Sequence, residues 1–260
     1  MKKKLFILFL MTFGLFANVA FCQNEIEIPY DVGKNYEEGL MHIQKKEFLD
    51  AFRCFKYAAE RDFPPAQYEL GICYMYGEGA QVNMTEAFKW LMKAANGGEP
   101  MAYNKLGWIY NNGIGTERNL EKSMYWYEKG ANAGDPYAQY NLGTNYLRGN
   151  GVAVNFAKAK YWFEQAANQG LPNAALSLGS MYINGEGVNV DEITAFKWFR
   201  KAAEGGMEQA QYVMGLGYLQ GKGGLSINKA EALKWFKMAA SQGNSEAQIM
   251  VNKLMNGENE

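Results

Sequence analysis

The stretch Ala66-Gln67-Tyr68-Glu69-Leu70-Gly71-Ile72-Cys73-Tyr74-Met75-Tyr76-Gly77-Glu78-Gly79, followed by Asn83, Ala87, Trp90 and Lys93-Ala94-Ala95, decides the fold because its pattern returns. Leu-Gly recurs at Leu106-Gly107, Leu142-Gly143 and Leu178-Gly179, with Met214-Gly215 in the same place, each step 36 residues long. Tyr74, Tyr110, Tyr146, Tyr182 and Tyr218 keep the beat. So do the Gly-x-Gly pairs that begin at Gly77, Gly113, Gly149, Gly185 and Gly221. Trp90, Trp126, Trp162 and Trp198 follow, and Trp235 comes one residue late because the fifth loop is one residue longer. Self-similarity at a fixed period is the signature of a repeat architecture.

Each copy reads as two helices. Ala66, Leu70 and Tyr74 lie four apart on one stripe of the first helix, which stops at Gly77, where glycine accepts a left-handed turn. The second helix starts at Asn83; its counterparts Asn119, Asn155, Asp191 and Asn228 all carry the short oxygen that caps a helix start. Asn83 with Glu86 and Asn228 with Glu231 have capping-box spacing. Ala87, Trp90 and Ala94 form the core stripe of that helix, which ends near Gly98. Pro64, Pro100, Pro136 and Pro172 follow the stops, next to the following helix start, where a missing amide costs nothing. One hairpin cannot bury its apolar face alone, so copies stack. Gly71 and its equivalents are expected to let backbones approach closely, with Tyr74 and Trp90 as large knobs that fill the gaps between small residues. The predicted fold class is all-α: a right-handed α-solenoid superhelix of stacked helix-turn-helix repeats with a 36-residue period.

Composition agrees. The 260 residues include 29 glycines, and 20 of these occupy four phased positions in five copies. A single histidine, His42, leaves no His-based metal cage or Ser-His or Cys-His relay, so no metal and no cofactor is expected. His42 reads as an ordinary helix residue. A formal charge of −1 argues against nucleic acid as a partner. Gly77-x-Gly79 and Gly221-Lys222-Gly223-Gly224 resemble phosphate loops only superficially, because neither follows a strand or leads into Gly-Lys-Ser/Thr; they read as turns.

At the start, Lys2, Lys3 and Lys4 precede the apolar run Leu5 to Phe16, and Ala20-Phe21-Cys22 ends it with small residues at the cleavage positions. This is the plan of a secretory signal. Cleavage is expected before Gln23, with a cut after Ala20 and a lipid-modified Cys22 as alternatives. Removal of 1–22 leaves 23 basic and 27 acidic residues. The chain then divides into a linker 23–34, a degenerate tetratricopeptide-like repeat 35–65, repeats at 66–100, 101–136, 137–172, 173–208 and 209–245, and a closing helix and tail at 246–260. The mature protein is expected to be periplasmic or secreted, with no transmembrane segment, and monomeric.

The motif Ala66-x3-Leu70-Gly71-x2-Tyr74-x2-Gly77-x-Gly79 with Asn83, Ala87, Trp90 and Lys93-Ala94-Ala95 resembles the Sel-one-like repeat (SLR) family, relatives of the tetratricopeptide repeats. The resemblance implies that the first helices line a concave groove. With Ala66, Leu70 and Tyr74 facing the core, 100° per residue turns offsets 68, 72 and 75 outward. The candidate partner-binding residues at these places and one residue beyond are Tyr68, Asn104, Trp108, Asn111, Asn112, Tyr140, Thr144, Arg148, Asn184 and Tyr212. Tyr, Trp, Asn and Arg are types that anchor protein interfaces. Packing inside the superhelix is the competing reading for Ile72, Leu176 and Leu216. Trp108, the tryptophan outside the repeat register, is the sharpest candidate. Cys54 and Cys73 lie at similar height on adjacent helices, so a disulfide and two buried thiols both remain open.

Function follows the surface. The expected activity is that of an exported, non-enzymatic scaffold that binds a protein or peptide. The alternative implied by secreted, cysteine-rich SLR relatives is β-lactam or peptidoglycan-related binding or hydrolysis. Those relatives carry a cysteine pair in every repeat, and this chain has at most one. It also lacks a Ser-x-x-Lys context for a serine acyl-enzyme.

Overall fold

The computed structural model describes residues 30–256, and the chain divides into two compact units, Met1–Lys129 and Gly130–Glu260. The export signal expected at 1–22 and the tail beyond Asn256 lie outside the described residues. Among those described there are thirteen helices and no strand. The first unit holds α1 (Tyr30–Gln44), α2 (Phe48–Ala59), α3 (Pro64–Tyr76), α4 (Met84–Asn96) and α5 (Met101–Asn112), and its boundary falls within α6 (Leu120–Asn132). The second holds α7 (Pro136–Arg148), α8 (Phe156–Asn168), α9 (Pro172–Asn184), α10 (Glu192–Glu204), α11 (Glu208–Gln220), α12 (Lys229–Ser241) and α13 (Ser245–Asn256). The chain is an all-α solenoid of helix pairs with a period of about 36 residues.

The pairs are built as the spacing predicts. α3 ends at Gly77, whose φ of 79° is the left-handed cap. Asn83 Oδ1 accepts from the Glu86 amide at 3.1 Å, and Asn119, Asn155, Asp191 and Asn228 cap their helices in the same way. The reciprocal half of a capping box is replaced by something else. The backbone amide of Asn83 donates to Tyr74 O at 2.9 Å, and the same bond runs from Asn119 to Tyr110, Asn155 to Tyr146, Asp191 to Tyr182 and Asn228 to Tyr218. That bond closes each loop, binding the cap of one helix to the end of the other.

The side chain that fills the space beside Gly71 is not Trp90 but its neighbour. A Cβ on Gly71 would lie 2.8 Å from Leu91; on Gly107, 2.5 Å from Tyr127; on Gly143, 2.8 Å from Phe163; on Gly215, 2.5 Å from Phe236. The tryptophans turn elsewhere. Trp90 joins Ala51, Phe55, Ala58 and Leu70, and Trp126 joins Ala87, Leu91 and Ala94, so each packs toward the preceding helix pair. Trp90, Trp126 and Trp235 are buried, whereas Trp162 and Trp198 are only half-buried.

The leading copy differs from its reading. Residues 30–34, expected in the linker, form the first turn of α1: Val32 and Gly33 are buried, and Tyr57 donates to Asp31 at 2.6 Å. α1 and α2 are a full helix pair, so close that a Cβ on Gly39 would lie 2.5 Å from the Phe55 ring. The missing Gly-x-Gly is bridged by a shorter turn in which Lys46 takes φ 61°.

Gly215→Ala is expected to destabilise the protein by about 1–3 kcal/mol, because a methyl group must displace the Phe236 ring in a filled core. Adding Phe236→Leu is expected to restore part of that loss. Urea unfolding of both variants measures it, and an unchanged midpoint for Gly215→Ala would contradict the close approach.

Candidate functional site

Within the first unit, the outward face of α3 and α5 carries most of the candidate residues. Trp108 is 40% exposed, the Asn112 side chain donates back to Trp108 O at 2.8 Å, and Asn104 and Asn111 are half-buried. Arg118 Nε donates to Asn111 O at 2.9 Å, so the end of α5 is fixed from the loop. Tyr68 departs from expectation. It is 8% exposed and belongs to the core with Leu91, Leu106 and Ile109, because its ring reaches across to the next helix pair.

Two residues of this face were missed in the sequence. Tyr76, 58% exposed, accepts at its hydroxyl from Lys105 Nζ at 3.2 Å, and the ammonium also lies 5.5 Å from its ring. Tyr76 stands at the offset of Asn112, Arg148, Asn184 and Gln220, so the register already contained the signal. Tyr76, Lys105 and Trp108 together present an aromatic surface with one cation on α3 and α5.

In the second unit, the rings of Tyr140 and Tyr212 lie 5.7 Å from Phe163 and Phe236 respectively, so both are half-buried and partly structural. Thr144 Oγ1 donates to Tyr140 O at 2.9 Å and Ser180 Oγ to Leu176 O at 3.1 Å, which spends these hydroxyls on their own helices. Arg148 and Asn184 are exposed, and Asn184 donates to Glu186 at 3.4 Å. Ile183 is 38% exposed beside it. Ile72, Leu176 and Leu216 are half-buried.

His42 Nδ1 meets Glu47 Oε2 at 2.6 Å across the α1–α2 turn. No group of three or more His, Cys, Asp or Glu able to hold a metal ion occurs among the described residues. Cys54 and Cys73 are free thiols, so the bridge allowed by equal helix height is not formed. Height is not enough, because the two face different neighbours. Cys73 is buried with Phe55, Ala58 and Leu70, whereas Cys54, in the position of Trp90, is half-buried near Glu38 and Asp50. Burial pushes the Cys73 thiol up to about 12 and raises Cys54 as well, so neither is a ready thiolate.

Among the described residues, Glu69, on α3, is the acid pushed furthest from its ordinary range. Burial pushes it up to about 7, and the negative charges of Glu99 and Glu78 add to the shift. The fold therefore keeps a proton that the unfolded chain releases near 4.5. Stability on this account is greatest in acid and falls as pH rises from about 4.5 to about 7. The melting temperature is expected to be higher at pH 5 than at pH 8, and Glu69→Gln to flatten most of that slope; thermal melts of both proteins at both values test it.

Comparison with known proteins follows from this geometry. The family model described as Sel1 repeat matches residues 30–63, 64–99, 100–135, 136–171, 172–207 and 208–244, so the leading helix pair counts as a full sixth repeat. Among solved structures, a Sel1 repeat protein from Oxalobacter formigenes is 30% identical, with a TM-score of 0.80 over 86% of this chain and 66% of its own. A protective antigen of uropathogenic Escherichia coli strains that displays an SLR fold is 30% identical, with a TM-score of 0.74 over 88% of this chain and 50% of its own. The chain thus spans less than two thirds of the one and half of the other. PilF of Pseudomonas aeruginosa, 15% identical with a TM-score of 0.59 over 87% of this chain and 97% of its own, shares the fold alone. No curated protein matches. With six matched repeats across residues 30–244, the chain belongs to the Sel1 repeat family.

Proposed function

We propose that the protein is an exported, non-enzymatic scaffold that holds a protein or peptide partner against the exposed rows of its first helices. Sel1 repeats commonly serve as scaffolds for protein–protein interaction. The observation that carries the reading to this chain is Trp108. It is 40% exposed in the middle of α5, on a helix that buries Leu106, Ile109 and Tyr110 in the core. Exposed tryptophan on the helix that carries Lys105, whose ammonium meets Tyr76, has the composition of an interface anchor. Arg148, Ile183 and Asn184 are the corresponding contact residues on α7 and α9. The protein works as a monomer, and its partner is recognised by shape and by these side chains, with no cofactor and no nucleic acid.

Export rests on Lys2–Lys4 and the apolar run that follows, and on the absence of any helix among the described residues long and apolar enough to cross a membrane. The alternative, β-lactam or peptidoglycan chemistry, depended on cysteine-stapled repeats. Cys54 and Cys73 are free, and no observation favours that reading.

A photo-reactive amino acid at position 108 is expected to cross-link a discrete partner in the cell envelope. The same label at Tyr161, 52% exposed on a second helix, is expected not to. Trp108→Ala is expected to abolish partner capture with the melting temperature nearly unchanged; a collapsed melt would make Trp108 a core residue and sink the assignment. Mass spectrometry of the mature protein is expected to find Gln23 at its amino terminus, and a retained Met1 would contradict export by this signal.

A further inference from the structure

A second period runs beneath the first. Ala66-Gln67-Tyr68, Ala138-Gln139-Tyr140 and Ala210-Gln211-Tyr212 stand 72 residues apart, two repeats at a time. The three glutamines are 3%, 5% and 2% exposed. Each spans the joint between one helix pair and the next, donating from Nε2 at 3.2 Å to the carbonyl of an alanine at the end of the preceding helix: Ala59, Ala131 and Ala203. The far side of the amide is held too. Gln139 Oε1 accepts from Gln169 at 2.8 Å and Gln211 Oε1 from Gln242 at 2.8 Å, while Gln67 Nε2 also reaches Asp62 at 3.3 Å.

The joints between lack this bond. Tyr103 occupies the position where α4 meets α5, and Ala175 where α8 meets α9. Neither side chain can donate an amide. The Tyr103 ring stacks on Trp126, 5.7 Å away, and packs against the apolar cluster that includes Ala94 and Ala95 of α4, a contact without a hydrogen bond from an amide. The corresponding carbonyls, Ala95 O and Ala167 O, accept from the turn amides of Gly98 and Gly170, so no group is stranded. In α13 the equivalent glutamine, Gln248, turns along its own helix to Asn252 Oδ1 at 3.0 Å.

The backbone also differs between the bridged joints and those at Tyr103 and Ala175, whereas at α13 the Gln248 amide donates four residues back to Asn244 at 3.1 Å without a side-chain bridge. At the three glutamine joints the amides of Gln67, Gln139 and Gln211 donate four residues back, to Phe63, Asp135 and Met207, each at 3.0 Å. The Ala175 amide reaches Leu171 O at 3.4 Å, and Leu171 O also takes the Ala174 amide from three residues away. At α5 the amides of Ala102 and Tyr103 both donate three residues back, to Glu99 and Pro100. Three-residue closure is the tighter turn with the poorer hydrogen bond.

We infer that locked and compliant joints coexist within each unit: in the first, the Gln67 amide fixes its joint and Tyr103 marks one where adjacent helix pairs change their angle; in the second, Gln211 fixes its joint, Gln139 ties the start of α7 to Ala131, and Ala175 marks the compliant joint. A buried amide that bridges two helices resists separation because opening strands it without water. A joint without that glutamine bridge, and with a tighter first turn, is spared this particular penalty, and the ends of helices are where hinges absorb backbone change. The inference concerns the joints alone and stands apart from what the exposed faces bind.

Amide hydrogen exchange of the full chain tests it. The amides of Phe63 and Gln67, Asp135 and Gln139, and Met207 and Gln211 are expected to exchange about tenfold more slowly than the equivalent amides of Glu99 and Tyr103 and of Leu171 and Ala175, the effect of one buried hydrogen bond. Equal protection at all five joints overturns the proposal. Gln139→Ala is expected to bring positions 135 and 139 to the level of 171 and 175. Ala175→Gln is expected to slow exchange at 171 and 175 without changing 207 and 211. Protection that does not move in either variant overturns the assignment of the lock to the glutamine.

Discussion

The contact between a glycine on each first helix and a large side chain on its second is the constraint on which the other features depend. At Gly39, Gly71, Gly107, Gly143, Gly179 and Gly215 the missing Cβ leaves a hollow into which Phe55, Leu91, Tyr127, Phe163, Phe199 and Phe236 fit. Interiors packed this densely tolerate neither a void nor an added methyl group, so ring and hollow determine each other. The pairing sets how closely the two helices lie. It also determines what the rest of the second helix can do: with the ring turned inward, the preceding tryptophan must face the earlier helix pair. The hairpin contact and the stacking contact are therefore adjacent residues of one helix.

The loops make that geometry recur. A left-handed glycine stops the first helix, and the cap residue of the second donates its amide to the tyrosine carbonyl near the end of the first. The same residue uses its side chain to cap its own helix, so one Asn or Asp satisfies groups on both helices. This is why Asn or Asp suffices without a full capping box, and why Tyr74 and its counterparts matter for their backbone as well as their rings.

Much of this was legible in the sequence because it is written in residue types with narrow uses. Phased Gly, Pro and Asn mark helix ends by conformation and capping, and those signals survive without knowledge of neighbours. What was not legible depends on where a side chain goes once helices stack. The phased tryptophans stand out as large knobs, but which side chain meets Gly71 is decided by stacking, and it is Leu91 that is turned toward the glycine. Tyr68 was read as surface from its angle on an isolated helix, but the next helix pair covers it. Residues 30–34 lack the glycine punctuation, so their helix was taken for a linker. The glutamine period of 72 residues was present in the sequence, hidden under a stronger period half as long.

The candidate surface follows from what stacking leaves unassigned. Positions 66, 70 and 71 are held by two neighbours each and repeat as Ala, Leu or Met, and Gly. The exposed offset at Tyr76, Asn112, Arg148, Asn184 and Gln220 has no such duty, and its chemistry varies among aromatic, amide and cation. A solenoid gains specificity by this division, because a surface residue can be exchanged without disturbing the helix pair that presents it. Joint stiffness adds a second source of selectivity. A partner laid along a first-helix face across a glutamine joint meets side chains at fixed spacing, whereas one laid across the Tyr103 or Ala175 joint meets a spacing that can adjust. Shape along the row is then set by the amides between helix pairs, and chemistry by the residues that those amides leave exposed.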